Sequence, residues 1–133
     1  MIRQEISVSK EITLIVADRN HHVREFLQRE LASEGYTVRT AESFRHVLRL
    51  AFHPDALDFL IMDPNLPDAE ESGISEKLGN IARRVPIVIH TYLSDYNENQ
   101  KICRETAFVE KKGNSVEKLK QVVAEILKAR PLT

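Results

Sequence analysis

Four polar side chains stand where apolar, strand-like runs of the sequence end: Asp18, Asp63, Thr91 and Lys111. In an open parallel sheet the carboxyl ends of the strands meet at one edge, where such proteins bind ligands. Two carboxylates at that edge can hold a hard cation such as Mg²⁺, and a lysine and a threonine can contact phosphoryl oxygens. An aspartate can also act as a nucleophile and form an acyl phosphate. Taken alone, Asp63 is equally well explained as a turn residue before Pro64.

The hydrophobic pattern alternates between the strand period and the helix period along the chain. The predicted strands are residues 12–17, 36–40, 57–62, 86–91 and 107–110. The predicted helices run from 20 to a stop at 35, from 43 to before 54, from about 70 to 83, from 95 to 104, and from 114 onward. Such alternation with short connections is typical of parallel βαβ units. The sequence therefore predicts an α/β, flavodoxin-like doubly wound parallel sheet of five strands in the order 2-1-3-4-5, with five helices.

Composition narrows the class of protein. The chain has 133 residues, 42% of them hydrophobic and 29% charged, which is typical of one soluble globular domain. Its 19 Lys and Arg against 20 Asp and Glu leave no basic excess that would favour direct binding to nucleic acid. The single Cys103 excludes an intramolecular disulfide, and no apolar run approaches the roughly 18 residues of a membrane span. We therefore expect a cytoplasmic protein that does not bind a membrane.

Four segments, in this order, carry a resemblance to a known family. They are Ile15-Val16-Ala17-Asp18, Met62-Asp63-Pro64-Asn65-Leu66-Pro67, Val85-Pro86-Ile87-Val88-Ile89-His90-Thr91 and Phe108-Val109-Glu110-Lys111. With them the chain resembles the response-regulator receiver domain, the phosphoacceptor module of bacterial-type two-component signalling. The resemblance covers residues 11–128, which leaves residues 1–10 as a flexible lead-in and residues 129–133 as a C-terminal tail or truncated linker.

The resemblance implies a role for each of these polar residues. Asp63 would be the phosphoacceptor, with Asp18 and the backbone carbonyl of Asn65 as further ligands of Mg²⁺. Thr91 and Lys111 would bind the phosphoryl group. The protein would then be a signalling domain in a phosphorelay rather than an enzyme with its own substrate.

The resemblance also implies a route from phosphorylation to output. Thr91 would move toward the phosphoryl group while Phe108 turns inward, and the fourth helix, fifth strand and fifth helix would form the signalling face. The implied partners are a sensor histidine kinase or a histidine phosphotransfer protein, and a downstream protein. The resemblance leaves a homodimer of the chain open.

Three residues depart from the family pattern around the expected pocket. Arg19 stands where a second acid usually follows Asp18, so it weakens the expected Mg²⁺ site by charge repulsion and by the loss of an oxygen ligand. Tyr92 replaces a small residue and is expected to crowd the mouth of the pocket. Leu93 offers no polar group to orient a hydrolytic water, so an acyl phosphate would be long-lived. The alternative function is therefore an atypical receiver that binds other proteins without being phosphorylated.

Other classes of protein fit the sequence less well. A haloacid-dehalogenase-type phosphatase would need a second acid two residues after its nucleophile, where Asn65 stands. A flavin-binding protein of this fold would need a phosphate-binding loop rich in Ser, Thr and Gly, which the sequence lacks. The histidines, at positions 21, 22, 46, 53 and 90, are too scattered to predict a metal site.

Overall fold

A computed structural model describes residues 11–51, 57–95 and 107–129. The predicted lead-in, His53, Cys103, most of the helix predicted at 95–104 and residues 130–133 of the predicted tail lie outside the described residues. The strands are β1 (Thr13–Ala17), β2 (Thr37–Ala41), β3 (Phe59–Met62), β4 (Ile87–Thr91) and β5 (Ala107–Glu110). The α-helices in these ranges are α1 (His21–Ala32), α2 (Phe44–Ala51), α3 (Ile74–Ala82) and α4 (Ser115–Ala129), with a short 3₁₀ turn at Leu93–Asp95. Thus α4 is the helix predicted as the fifth.

The strands form one parallel sheet in the order β2-β1-β3-β4-β5, which confirms the predicted topology. The chain moves from β1 outward to β2 and then crosses to β3 on the other side of β1. The carboxyl ends of β1 and β3 therefore flank the point where the winding direction reverses, which is the usual ligand crevice of such sheets.

The core consists of two layers because successive strand residues face opposite sides of the sheet. Leu60 and Met62 of β3 pack in one cluster with residues of α2 and α3, whereas Phe59 and Ile61 pack in the other with residues of α1 and α4. All four residues of β3 are buried, as expected for a central strand covered on both faces. The edge strand β2 is only partly buried, in agreement with its alternating sequence.

Two details of the helices differ from the prediction. The third helix begins at Ile74 rather than near residue 70, since Gly73 adopts a left-handed conformation with φ of 86° that ends the preceding turns. The helical period places Phe26 on the same face as Leu27 and Leu31, which predicts burial, but its side chain is 41% exposed and lies beneath the guanidinium of Arg29. In the described parts of the chain, no helix is long and apolar enough to cross a membrane.

The loop after β3 is fixed to α2 by a contact that the sequence analysis missed. The carboxylate of Asp68 accepts hydrogen bonds from the backbone N–H groups of Phe44 and Arg45, at 2.8 and 3.0 Å. It thereby caps the first turn of α2 from a distant part of the chain, and the side chains of Arg45 and Glu71 form an ion pair beside it. No local signal predicts this contact, because Asp68 lies 24 positions from Phe44.

Candidate functional site

The predicted polar residues meet at the carboxyl edge of the sheet. Asp18 follows β1 and Asp63 follows β3, and the N–H of Asp63 donates to the carbonyl of Ala17, the residue before Asp18, at 2.9 Å. Lys111 follows β5, and its N–H donates to the carbonyl of Thr91 at 2.9 Å. These backbone bonds place Asp18, Asp63, Thr91 and Lys111 around one end of the sheet, as the sequence predicted.

The ammonium of Lys111 lies between the two carboxylates. Its Nζ is 2.7 Å from Oδ2 of Asp18 and 2.6 Å from Oδ2 of Asp63. Asp18 is 1% exposed and Asp63 is 5% exposed, so these are buried ion pairs that water screens little. Burial by itself lowers the pKa of Lys111, but the hydrogen bonds and charges of the two aspartates outweigh burial and raise the pKa above 10.5.

The other oxygen of each carboxylate is held by the following loop. Oδ1 of Asp18 accepts the N–H of Asn20, and Oδ1 of Asp63 accepts the N–H of Asn65, both at 2.8 Å. A guanidinium nitrogen of Arg24 also donates to the backbone carbonyl of Asp18 at 2.7 Å. Both acids are therefore fixed in orientation before any ligand arrives. Arg24 was missed in the sequence because its place on the polar face of α1 predicts only exposure to solvent.

The hydroxyl of Thr91 is buried beside this cluster without a partner. Thr91 is 0% exposed, and its Oγ1 has no hydrogen-bond partner among the residues that the structure describes. An unsatisfied buried hydroxyl costs about 1–3 kcal/mol, so such groups usually have a partner in some functional state. A group that brings an acceptor or donor to this position would remove that cost.

The acids open onto a cleft of about 650 Å³. Arg19 lines this cleft with an exposed side chain, and the cation that pairs with Asp63 is Lys111 rather than Arg19. Tyr92 also lines the cleft, 54% exposed, with its ring centre 5.3 Å from Nζ of Lys111. Leu93 follows it, 58% exposed. Arg19 and Tyr92 therefore lie at the cleft, whereas Leu93 is not among the residues that line it.

His90 is the second residue that sequence reasoning did not assign to the site. It is 4% exposed, and its Nε2 lies 3.1 Å from Oγ of Ser115 at the start of α4. Burial, aided by the positive charge of Lys111 and opposed by Asp63, lowers the pKa of His90 to about 4. The sequence did contain a signal for this burial, because His90 directly follows the apolar run Ile87 to Ile89 in the same strand.

Comparison with known proteins identifies the family. The family model described as the response regulator receiver domain matches residues 14–124. The chain belongs to this family. The receiver domain is 28% identical over 82 residues to the probable transcriptional regulator ycf27 of Cyanidium caldarium, a match that spans 62% of this chain and 32% of that protein. It thus spans about a third of the length of this relative.

Solved receiver structures share the fold. The response regulator TrrA of Thermotoga maritima, solved in complex with Mg²⁺ and BeF, is 25% identical with a TM-score of 0.67, over 86% of this chain and 98% of that one. The chemotaxis protein CheY4 of Vibrio cholerae is 20% identical with a TM-score of 0.70, over 88% of this chain and 99% of that one. These similarities support the flavodoxin-like receiver fold of the chain.

The donor set of the receiver domain fits a magnesium ion only in part. Each carboxylate oxygen of Asp18 and Asp63 already accepts one hydrogen bond or contacts Lys111, so Mg²⁺ would share these oxygens, with the carbonyl of Asn65 as a third ligand. Among the described residues, however, no group of three or more His, Cys, Asp and Glu side chains could hold a metal. The two carboxylates are matched by the two cations Lys111 and Arg19, so these four side chains carry no net charge to attract Mg²⁺.

Proposed function

We propose that the receiver domain accepts a phosphoryl group on Asp63 from a phosphohistidine of a sensor histidine kinase or a histidine phosphotransfer protein. A carboxylate oxygen of Asp63 attacks phosphorus, the bond from phosphorus to the donor nitrogen breaks, and an acyl phosphate forms. The observation that carries this proposal is the ammonium of Lys111, which lies 2.6 Å from Asp63 at the edge of the cleft. There it can neutralise the negative charge of the arriving phosphoryl oxygens.

The surrounding residues support the same chemistry. The unpartnered hydroxyl of Thr91 can bind a phosphoryl oxygen, and the backbone N–H of Asn65 fixes the orientation of the Asp63 carboxylate. Asp18, Asp63 and the carbonyl of Asn65 would hold Mg²⁺, which would supply positive charge to the transferring group. The acyl phosphate would persist, because Leu93 cannot orient an attacking water.

The proposed output runs through Thr91 and Phe108 to a downstream protein. Phe108 pairs with Ile89 in the register of β4 and β5, and its half-buried ring packs at the border of the α2 and α3 cluster. A ring that is only half-buried would lose more of its exposed apolar surface if it turned inward. Of the predicted signalling face, β5 and α4 lie within the described residues, and the fourth predicted helix lies almost entirely outside them.

The substitution Asp63→Asn tests the proposed function. We expect the wild-type protein with Mg²⁺ and acetyl phosphate to gain the mass of one phosphoryl group, and the variant to gain none, because the nucleophilic oxygen is replaced by an amide. Beryllofluoride should likewise shift the amide resonances near Thr91 only in the wild type. If the wild type gains no phosphoryl mass and its amide resonances do not shift with beryllofluoride, the protein is not a phosphorylation switch.

A second function is favoured by one observation, the exposed Arg19 at the cleft. Its charge together with Lys111 balances the two carboxylates without any metal, so the site is already neutral. A receiver domain of this kind can act as a protein-interaction module whose conformation does not depend on phosphorylation. Phosphoryl uptake by the wild type in the preceding experiment supports the first function, and no response to acetyl phosphate or beryllofluoride supports the second.

The substitution Arg19→Asp should tighten Mg²⁺ binding by about tenfold or more, since it removes a repelling cation and adds a carboxylate ligand. Mg²⁺ titration without a phosphodonor, followed by amide chemical shifts, measures the change. Arg19→Ala is the matched control and should give a smaller gain because it removes the cation only. Equal Mg²⁺ affinity in all three proteins would show that Arg19 does not influence the site.

A further inference from the structure

The loop that carries Lys111 is short and is attached to β4 at both ends. It connects β5, which ends at Glu110, to α4, which begins at Ser115. At its first residue, the N–H of Lys111 donates to the carbonyl of Thr91 at 2.9 Å. At its far end, Nε2 of His90 lies 3.1 Å from Oγ of Ser115. Two consecutive residues of β4 therefore hold the two ends of this loop.

His90 is well placed to act as a fixed attachment point. It lies in a strand whose five residues are all buried and faces the layer formed by α1 and α4, opposite to Ile89. A buried polar ring costs free energy unless it is hydrogen-bonded, and Ser115 is its hydrogen-bonding partner. Because burial lowers the pKa of His90 to about 4, the ring is neutral near pH 7 and the bond to Ser115 joins two uncharged groups.

We propose that His90 is a positioning residue, whose hydrogen bond to Ser115 fixes the loop of residues 111–114 and thereby holds the ammonium of Lys111 between Asp18 and Asp63. Its effect on phosphoryl transfer rests on the proposed function, whereas the placement of Lys111 can be measured without any phosphodonor. Without the bond, the loop keeps the hydrogen bonds from the N–H of Lys111 to Thr91 and from the N–H of Ser115 to Lys112, but it loses its attachment to His90. The ammonium then samples positions farther from both carboxylates.

The test compares His90→Phe, Ser115→Ala and His90→Gln with the wild type. Phenylalanine keeps a buried ring without the hydrogen bond, while glutamine keeps an Nε2 donor. We expect the Lys111 ammonium and the amide hydrogens of residues 112–114, followed by NMR, to exchange with solvent about fivefold faster in His90→Phe and Ser115→Ala and at the wild-type rate in His90→Gln. We expect the rate of phosphoryl uptake from acetyl phosphate to fall about fivefold in the first two variants, the effect of one neutral hydrogen bond.

The control is Gln121→Gly, which weakens the same helix on its exposed face through the poor helix propensity of glycine. It should leave these exchange rates unchanged. The proposal is overturned if His90→Phe keeps the wild-type exchange rates of the Lys111 ammonium and of residues 112–114, or if Gln121→Gly raises them equally. A wild type that takes up no phosphoryl group would contradict the proposed function, and the exchange rates would still decide the role of His90.

Discussion

Replacing Lys111 with methionine is expected to lower the free energy of unfolding at pH 7 by about 3 kcal/mol, the lower end of the range for a broken buried ion pair. The ammonium contacts both Asp18 and Asp63, which are 1% and 5% exposed, so its loss leaves two buried carboxylates facing each other. The lower end applies because both acids border the open cleft. Urea denaturation of the two proteins measures the difference.

The pH at which this effect is measured follows from the pKa of Lys111. That pKa is raised above 10.5, so the lysine is charged in the folded state at pH 7 and its stabilising contribution is complete there. The contribution is lost only as the pH rises through the folded-state pKa.

Two further variants distinguish the stability that the buried ion pairs contribute from the effect of losing any one positive charge. Lys112→Met removes the neighbouring lysine, which is 64% exposed and pairs with Glu110, and should change stability by less than about 0.5 kcal/mol. Adding Asp18→Asn and Asp63→Asn to Lys111→Met should restore most of the lost stability. If Lys111→Met is as stable as Lys112→Met, the buried ion pairs do not stabilise the fold.

Acidification from pH 7 to pH 5 is expected to lower the free energy of unfolding by about 2 kcal/mol through His90 alone. Its pKa is about 4 in the folded protein and about 6.5 in the unfolded chain. Between these values the unfolded chain binds a proton that the folded protein excludes, so stability rises with pH in this window. The loss of stability begins as the pH falls below 6.5 and is nearly complete once the pH has passed about 4.

The variant His90→Phe isolates this contribution. Between pH 7 and pH 5 the free energy of unfolding should fall by about 2 kcal/mol less in this variant than in the wild type. The comparison uses the slope of the free energy of unfolding against pH rather than its absolute value, because the variant also loses the hydrogen bond to Ser115. Equal slopes in both proteins would show that His90 is protonated with the same ease in the folded and unfolded states.

Local sequence predicted the sheet and the edge at which the site lies. The predicted strand order 2-1-3-4-5 places β2 at an edge and β3 in the middle of the sheet, and both positions were confirmed. Asp18, Asp63, Thr91 and Lys111 were predicted to meet because parallel strands bring their carboxyl ends together. The start of α3 was wrong by a few residues, since amphipathic spacing extends through residues 70–73 while the left-handed Gly73 ends the turns there.

The sequence by itself thus determined the succession of strands and helices along the chain and the types of residue at the strand ends, because hydrophobic period and strand termini are local properties. Only the tertiary structure decided which charges pair. It placed Lys111 between two acids, one of them 48 positions away, left Arg19 exposed, and joined His90 to Ser115 across 25 positions. Such contacts depend on strand register and on the packing of helices against the sheet, and neither is encoded in the spacing of neighbouring residues.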